Sequence, residues 1–591
     1  MEIEDLVSVV QGQLIKRSPA HTFISHLLSD SRHLAFPRQA LFFAIPGSHH
    51  NGHDFIVELY QKGVRSFIIE EVLTPEQRSL EANFIQVKSS IEALQSIATW
   101  HRQKFTYPVL AITGSNGKTI VKEWLDDLLR EQFNVVKSPH SYNSQIGVPL
   151  SVWQMDSHHN FAIFEAGISQ PDEMEKLAAI IQPDIGIFTN IGSAHDEGFA
   201  STSAKIQEKL KLFRGVQTLI YCRDHPQIHQ AIQDQNTFHI ASLSWGRSKL
   251  ADVWIRKQSP SNQGQSLEIS HRGKVFSLQI PFEDEASLEN LMHGLCLFLF
   301  LGISIQEFEK RLGDLSPVAM RLELKEGRNH NFLIDDSYNH DLGGLKIALD
   351  VLAHQSQRPR KVVILSDPAQ TGLEESLLFQ KIKELMEERS VDLVIGIGPG
   401  FYRQKHLFAP HLVVFEDTDA LLNSQFLDEI KFSLILVKGA RNFAFEKIVR
   451  NLSEKRHRTV LEINLDALAH NLNFYRSQLR AQTKLMVMVK AFAYGNGSME
   501  IAQLLQFHRV DYLAVAYVDE GVFLRKNGIH LPIMVLNPSE SDFDNILQYQ
   551  LEPEIYRFSF IRALVEYLLS RDQSLFRDFS LKVHIKLDTG M

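Results

Sequence analysis

The sequence predicts an α/β protein built on parallel sheets, and three observations carry that prediction. Short apolar runs rich in Val, Ile and Phe alternate with helix-period patterns from end to end. One such run feeds a glycine-rich turn ending in Lys-Thr, and an amphipathic stretch follows it. The composition, 44% hydrophobic and 22% charged with 31 Gly and 20 Pro, is that of a globular chain, neither disordered nor fibrous. At roughly 150 residues per domain, 591 residues suggest about four domains. Breaks at 104–108, 313–318 and 454–458 divide the chain into 1–106, 107–315, 316–455 and 456–591.

Several function classes fall away at once. Lys plus Arg is 61 and Asp plus Glu is 70, a net charge of −9, so no global attraction to nucleic acid or anionic membrane is expected. Two cysteines, Cys222 and Cys296, cannot build a disulfide framework or a four-thiolate metal site, and they fit a reducing compartment. Glu2, Glu4 and Asp5 stand where a leader would carry basic residues. The most apolar run, Leu295–Leu301, is far shorter than the roughly 20 residues that span a bilayer. A cytoplasmic protein without membrane insertion is the expectation.

Tyr107–Thr113 reads as a buried strand and Gly114-Ser-Asn-Gly-Lys-Thr119 as a tight turn. A helix follows, with Val121, Trp124, Leu125, Leu128 and Leu129 on one stripe. In such a unit Gly114, Ser115, Asn116 and Gly117 let backbone N–H groups converge on a polyphosphate, helped by the helix N-terminus. Lys118 neutralises the terminal oxygens and the Thr119 hydroxyl reaches Mg²⁺. The eight-residue form of this motif would put Gly at 112. The chain has Ile112, so the match is to the shorter Gly-x-x-Gly-Lys-Thr form.

Two further strands end in metal-compatible residues. Phe161–Glu165 places Glu165 at a carboxyl end, and Asp184–Ile191 runs into Gly192-Ser-Ala-His195. Ligands of open parallel sheets bind beyond the carboxyl ends of the strands, so Lys118, Glu165 and His195 are expected to converge there. Thr119 and Glu165 offer the oxygen donors Mg²⁺ prefers, and a neutral His195 is a tolerable addition.

In the third segment, Gly396-Ile-Gly398-Pro-Gly400 follows a strand and Glu416 lies 20 residues beyond its first glycine, which mimics a dinucleotide fingerprint. The last glycine of Gly-x-Gly-x-x-Gly would fall at Phe401, so the stretch reads as a strand-to-helix turn. His49-His50 and His158-His159 have no companion ligands at metal spacing and read as solvated loops.

In the fourth segment, Thr459–Asn464 opens with a strand, and Lys484–Lys490 reads as a buried strand ending in a lysine. Tyr512–Ala516, Pro532–Leu536, Glu554–Phe558 and Leu581–Leu587 are further strand candidates. Regular βα alternation predicts a (β/α)₈ barrel that is incomplete, with five of eight strands by count. A shielded strand-end lysine such as Lys490 can form a Schiff base.

The stretch from about 25 to 455 resembles the Mur ligases, ATP-dependent amide-bond formers of peptidoglycan synthesis. The likeness rests on Asp30-Ser-Arg32 with Gly52-His53, Gly114–Thr119, Ser141-Tyr-Asn143 with Ile146–Pro149, Glu165-Ala-Gly167 and Asn190–His195. It continues through Lys209, Asn290, Arg321, Asp335-Asp-Ser-Tyr-Asn339 and Lys438-Gly-Ala-Arg441. It implies a UDP-sugar-binding domain (1–106), a central P-loop ATPase domain (107–315) and a Rossmann-like C-terminal ligase domain (316–455). Asp-Asp-Ser-Tyr-Asn and Lys-Gly-Ala-Arg look most like the members that add D-alanyl-D-alanine to UDP-N-acetylmuramoyl-tripeptide.

The resemblance implies a role for each matching residue. Ser31, Arg32 and Asn143 would meet the nucleotide-sugar, and Asn290 the adenine. Lys118 and Thr119 would hold the ATP phosphates and Mg²⁺, Arg321 the γ-phosphate. Glu165 and His195 resemble metal ligands, and Lys209 the family's carbamylated lysine, with Lys211 two places on. Asp336, Tyr338, Asn339, Lys438 and Arg441 belong to the C-terminal ligase domain. The chain departs from the family at His340–Gly344 and at Ser366–Ala369, where incoming-dipeptide recognition is expected.

Leu461–Asn471, Val489–Gly495 and His584–Met591 resemble the N-terminal part of alanine racemase. Lys490 matches the pyridoxal-phosphate lysine, Tyr494 a tyrosine near the cofactor phosphate, and Lys586 a position often carbamylated. Phe492 stands where Asn is usual. Such a region normally dimerises, and this chain alone is not expected to racemise alanine. Two alternatives stay open: a C-terminal region that is a non-catalytic pyridoxal-phosphate-binding or interaction module, and a ligase serving another Mur or folate-glutamate acceptor.

Overall fold

The computed structural model describes every residue except 20–22, 35–36, 48–50, 140, 193–197, 235–240, 262–263, 283, 316–322, 338–339, 341, 356, 369–373, 409, 454–462, 481–482, 496, 571–580, 588 and 590–591. Residues 1–94, 130–134 and 459–591 form one compact unit, and 95–129 with 135–458 form another. Each unit holds two sheets.

The first unit opens with β1 (Gln13–Lys16), β2 (His26–Leu28), β3 (Ala40–Phe43), β4 (Ser66–Ile69) and β5 (Asn83–Gln86), ordered β1-β5-β4-β3-β2. All pairs are parallel except β1–β5. Phe42, Phe67 and Phe84 fill its core, with the Phe67 and Phe84 rings stacked at 5.2 Å.

The second unit is built on a nine-stranded sheet. Its strands are β6 (Val109–Thr113), β7 (Val135–Lys137), β8 (Phe161–Glu165), β9 (Ile185–Phe188), β10 (Thr218–Cys222), β11 (Ser242–Gly246), β12 (Val253–Ser261), β13 (Gly264–His271) and β14 (Lys274–Ile280). The order is β14-β13-β12-β11-β10-β9-β6-β8-β7. The strands from β6 to β11 pair in parallel, as expected. The β12–β13 and β13–β14 pairs do not; they are antiparallel. The all-parallel expectation therefore fails here for a local reason. Arg272 (φ 49°) and Gly273 (φ 75°) both adopt positive φ between β13 and β14, which is the backbone of a tight hairpin turn.

The apolar run at Leu295–Leu301 lies almost wholly on the helix Glu285–Phe300, N-capped by the Asp284 side chain on the Ser287 amide. That helix packs on β10, β11 and the helix Lys118–Leu129, so its apolar residues serve the core. Among the described residues, no helix is long and apolar enough to cross a membrane.

The same unit holds β15 (Glu323–Gly327), β16 (Asn331–Asp336), β17 (Arg360–Ser366), β18 (Leu393–Ile397), β19 (Leu412–Phe415) and β20 (Ser433–Lys438). Their order is β15-β16-β20-β17-β18-β19, parallel except for β15–β16. The glycine turn after β18 is occupied by protein. The Asp367 carboxylate accepts from the Gly400 amide (2.7 Å) and the Phe401 amide (3.0 Å), where a dinucleotide fold would receive a pyrophosphate.

The first unit closes with β21 (Met486–Met488), β22 (Tyr512–Val515), β23 (Ile533–Val535), β24 (Glu552–Ile555) and β25 (His584–Ile585), parallel and in sequence order. These are the five strands expected; four are shorter than their apolar runs and lie within them, and β24 begins two residues before the run expected at Glu554–Phe558. The strand expected to be buried at 484–490 is half-open, because β21 borders the sheet. Of the strand expected at 459–464, residues 459–462 lie outside the described residues.

Candidate active site

Chain order and strand order part company at β6, which lies between β8 and β9. The carboxyl end of such a strand opens a crevice, and Gly114–Gly117 leaves β6 there. All five β6 residues are buried, so the strand holds the loop from a rigid base. The Ser115 amide donates to the Asn190 carbonyl (2.9 Å) and the Asn116 amide to Asn190 Oδ1 (3.0 Å). The Thr189 hydroxyl donates to the Asn116 carbonyl (2.6 Å). Gly117 has φ +82°, and a Cβ there would overlap Asn290 Oδ1. The phosphate loop is thus stitched to the end of β9 on one side and abuts the Glu285–Phe300 helix on the other.

Lys118 starts its helix with Nζ 2.8 Å from the Gly114 carbonyl and 3.1 Å from that of Ser115. Thr119 Oγ1 donates to Glu165 Oε2 (3.1 Å) and lies 3.2 Å from the Ser141 hydroxyl, while Asn143 Nδ2 donates to the same Glu165 oxygen (3.4 Å). Glu165 is fully buried at the carboxyl end of β8. A carboxylate and two hydroxyls at this spacing are hard oxygen donors, the set that fits Mg²⁺.

Lys209 is 3% exposed, and its Nζ donates to the Gly114 carbonyl (3.2 Å). Burial, and then the charges of Lys118 and Lys205, push its amine well below the usual lysine range. Lys211 instead pairs with Glu208 (2.7 Å) and Asp172 (3.1 Å), away from the loop. Lys205, 1% exposed, donates to the Gly192 carbonyl (2.6 Å). His195 and Arg321 lie outside the described residues.

Residues 112–298 match the Mur ligase middle domain, and residues 24–102 match the Mur ligase family catalytic domain. The chain belongs to the Mur ligase family. Residues 463–591 of this Mur ligase match the alanine racemase N-terminal domain. Among curated relatives, UDP-N-acetylmuramoyl-tripeptide–D-alanyl-D-alanine ligase of Bacillus subtilis is 26% identical over 462 residues, covering 76% of this chain and 98% of that protein. The enzyme of the same name from Buchnera aphidicola of Acyrthosiphon pisum is 28% identical over 417 residues, covering 70% and 90%. MurF from Acinetobacter baumannii superposes with a TM-score of 0.65 at 22% identity, covering 76% of this chain and 98% of that one. MurF from Thermotoga maritima, in complex with ADP, gives 0.61 at 21%, covering 72% and 96%. At these identities the structures speak for the fold. As a Mur ligase, the protein is an ATP-dependent peptide ligase.

The other residues singled out in this Mur ligase fall into three places. At the carboxyl ends of β16 and β20, Lys438 Nζ donates to Asp336 Oδ2 (2.5 Å), and both side chains are buried. His340, 1% exposed, stands 3.4 Å from the Ser366 hydroxyl, which accepts from the Ala440 amide. Tyr338, Asn339 and the Arg441 side chain lie outside the described residues.

In the first sheet, Arg32 clasps Asp30 through both carboxylate oxygens and is otherwise exposed, and Ser31 opens the same single turn. His53 is a scaffold residue. Its Nε2 accepts from the Glu70 (3.0 Å) and Glu71 (3.2 Å) amides, so the ring is neutral with its proton on Nδ1, toward Asn51.

In the racemase-like region Lys490 follows β21 and opens a left-handed turn: Ala491, Phe492, Ala493 and Tyr494 have φ between 51° and 60°. Four such non-glycine residues in a row are costly, and strain of this kind gathers at functional sites. Asn tolerates this backbone better than Phe492 does. Lys586 lies 3.4 Å from Glu554.

Lys122 was not singled out by its sequence. The signal existed: 118, 122, 125 and 129 share the buried helix face, but a lysine beside Glu123 reads as solvated.

Proposed function

We propose that this chain joins D-alanyl-D-alanine to UDP-N-acetylmuramoyl-tripeptide at the expense of ATP, through an acyl phosphate. The observation that carries the reading is the contact of Thr119 with Glu165 beside Lys118 at the mouth of β6. The activity named for the relatives, which this chain matches over nearly their whole length, supports the substrates.

The tripeptide carboxylate attacks the γ-phosphorus, the bond to the β-phosphate oxygen breaks, and ADP leaves. The dipeptide amine then attacks the acyl carbon, phosphate departs from the tetrahedral adduct, and the amine gives up a proton. Carboxylate and triphosphate repel each other, so Lys118 and Arg321 are read as the cations that spread the developing charge. Thr119, Glu165 and His195 would hold Mg²⁺, which would supply further positive charge to offset that of the phosphates. Lys209 is read as carbamylated: its amine, lowered by burial, adds CO₂, releases a proton and becomes a carbamate oxygen anion facing the same loop. Ser31, Arg32 and Asn143 are assigned to the nucleotide-sugar, and 1–106, 107–315 and 316–455 to the three ligase domains. The reaction is read as cytoplasmic.

ADP release measured with a panel of muropeptide acceptors and amine donors tests this. D-alanyl-D-alanine with the tripeptide should be preferred and Lys118→Ala inactive. A preference for another amino acid or for a folate acceptor would overturn the substrate assignment.

A second reading concerns 456–591. Lys490 and Tyr494 bracket one strained turn at the carboxyl end of β21, a geometry suited to holding pyridoxal phosphate. Added cofactor should give a Schiff-base absorbance that disappears in Lys490→Ala. No absorbance in the wild type would leave the region an interaction module.

A further inference from the structure

One buried charge has no part in the chemistry above. Lys122, one helical turn after Lys118, is 0% exposed. Its Nζ donates to the Ser138 carbonyl (2.7 Å) and stands 3.0 Å from Glu165 Oε1 and 2.9 Å from Glu123 Oε1. The Ser138 hydroxyl in turn accepts from the Glu165 amide (3.2 Å). On the outer side Lys137 bridges Glu123 (2.5 Å) and Asp126 (2.6 Å), which holds Glu123 against Lys122. Charges therefore alternate from Asp126 through Lys137, Glu123 and Lys122 to Glu165.

An apolar residue would serve this helix stripe, between Val121 and Leu125, with no desolvation cost, and a buried ion pair adds little net stability. What it does add is orientation. The two oxygens of Glu165 have different partners: Oε1 faces Lys122, while Oε2 faces Thr119 and Asn143.

We propose that Lys122 is a positioning residue for divalent-cation binding. By engaging Oε1 it fixes the Glu165 side chain so that a single oxygen, Oε2, is offered beside Thr119. The inference rests on the metal role given to Glu165 and Thr119 above. Partners that orient a ligating group in this way commonly alter metal affinity by roughly 10–100-fold when removed.

The test uses the full chain with Mn²⁺ as the probe, titrated by electron paramagnetic resonance in the presence of a non-hydrolysable ATP analogue. Lys122→Met should weaken Mn²⁺ binding about tenfold or more. Metal-free binding of the analogue should stay within about twofold, and Lys122→Arg should recover part of the loss. Glu123→Gln, which loosens Lys122 without touching Glu165, should shift affinity the same way by a smaller factor. It decides the matter should Lys122→Met fail to fold.

Thr119→Ala and Glu165→Gln separate the two ideas. If they weaken Mn²⁺ while the Lys122 and Glu123 variants do not, the positioning role is wrong and the metal site stands. If none of the variants shifts Mn²⁺, the metal assignment itself is wrong. Equal losses of metal and metal-free nucleotide binding in Lys122→Met would mark a merely structural lysine.

Discussion

Gly117→Ala is the most direct probe of the phosphate loop. Gly117 sits at φ +82°, where a residue with a Cβ pays about 1–2 kcal/mol of backbone strain. The added methyl would also overlap Asn290 Oδ1, and Asn290 is 7% exposed on a helix packed into the core, so it has little room to retreat. Together these predict a loss of about 2–3 kcal/mol, which for a domain of this size lowers Tm by roughly 5–10 °C. Because the displaced backbone is the one that faces phosphate, affinity for an ATP analogue should fall at least about tenfold, or 1.4 kcal/mol. Thermal unfolding and calorimetric titration measure the two effects. Asn290→Ala in the same chain should restore part of the stability, since it removes the obstacle and leaves only the strain. A Gly117→Ala protein with unchanged Tm and affinity within twofold would refute the loop geometry. So would a double variant no more stable than the single one.

His293 is fully buried, accepts from Trp245 Nε1 (3.2 Å), and is pushed down to about 4 by burial. Its neutral form belongs to the fold, so its contribution is whole above the unfolded value near 6.5 and is lost as pH falls toward 4, about 3 kcal/mol in all. Urea titrations should show that slope for the wild type and not for His293→Gln; equal slopes would count against it. Asp336→Ala strands the Lys438 ammonium in a buried site and should cost about 3–5 kcal/mol in urea unfolding, with Asp336→Asn costing less. A loss under about 1 kcal/mol would mean the pair is open to water. Phe492→Asn should stabilise the racemase-like region by about 1 kcal/mol, because Phe492 is exposed at φ 53° and Asn accepts that backbone. A lower Tm would show that the Phe492 ring is held by contacts.

Much of this architecture could be read from local pattern, because the residues concerned report on their own surroundings. The run Val109–Thr113 followed by Gly-Ser-Asn-Gly-Lys-Thr specifies a strand, a turn and a helix, and the structure has all three. Glu165 was legible because it ends an apolar run, and five apolar runs after 484 became five parallel strands. What escaped depends on distant partners. Lys122 looks solvated until β8 brings Glu165 to it, 43 positions along the chain. His53 carries only a motif match in the sequence, and its scaffold role appears once the amides of Glu70 and Glu71 meet its ring. The hairpin at Arg272-Gly273 was within reach of a turn rule, but the repeated βα rhythm around it suggested parallel strands throughout. Strand ends were overestimated wherever apolar residues continue into the loops, as at Pro532–Leu536 against Ile533–Val535.

The crowding of Lys118, Lys205 and Lys209 around one loop has a practical corollary. The ammonium groups of Lys118 and Lys205, each held by a backbone carbonyl beside the buried Lys209 amine, act as an ion-exchange resin one molecule wide. Pyrophosphate or tripolyphosphate, lacking both sugar and base, should already raise the melting point in dilute buffer. The gain should shrink as sodium chloride is added. A preparation stripped of such counter-ions is the one most prone to lose its native state during storage.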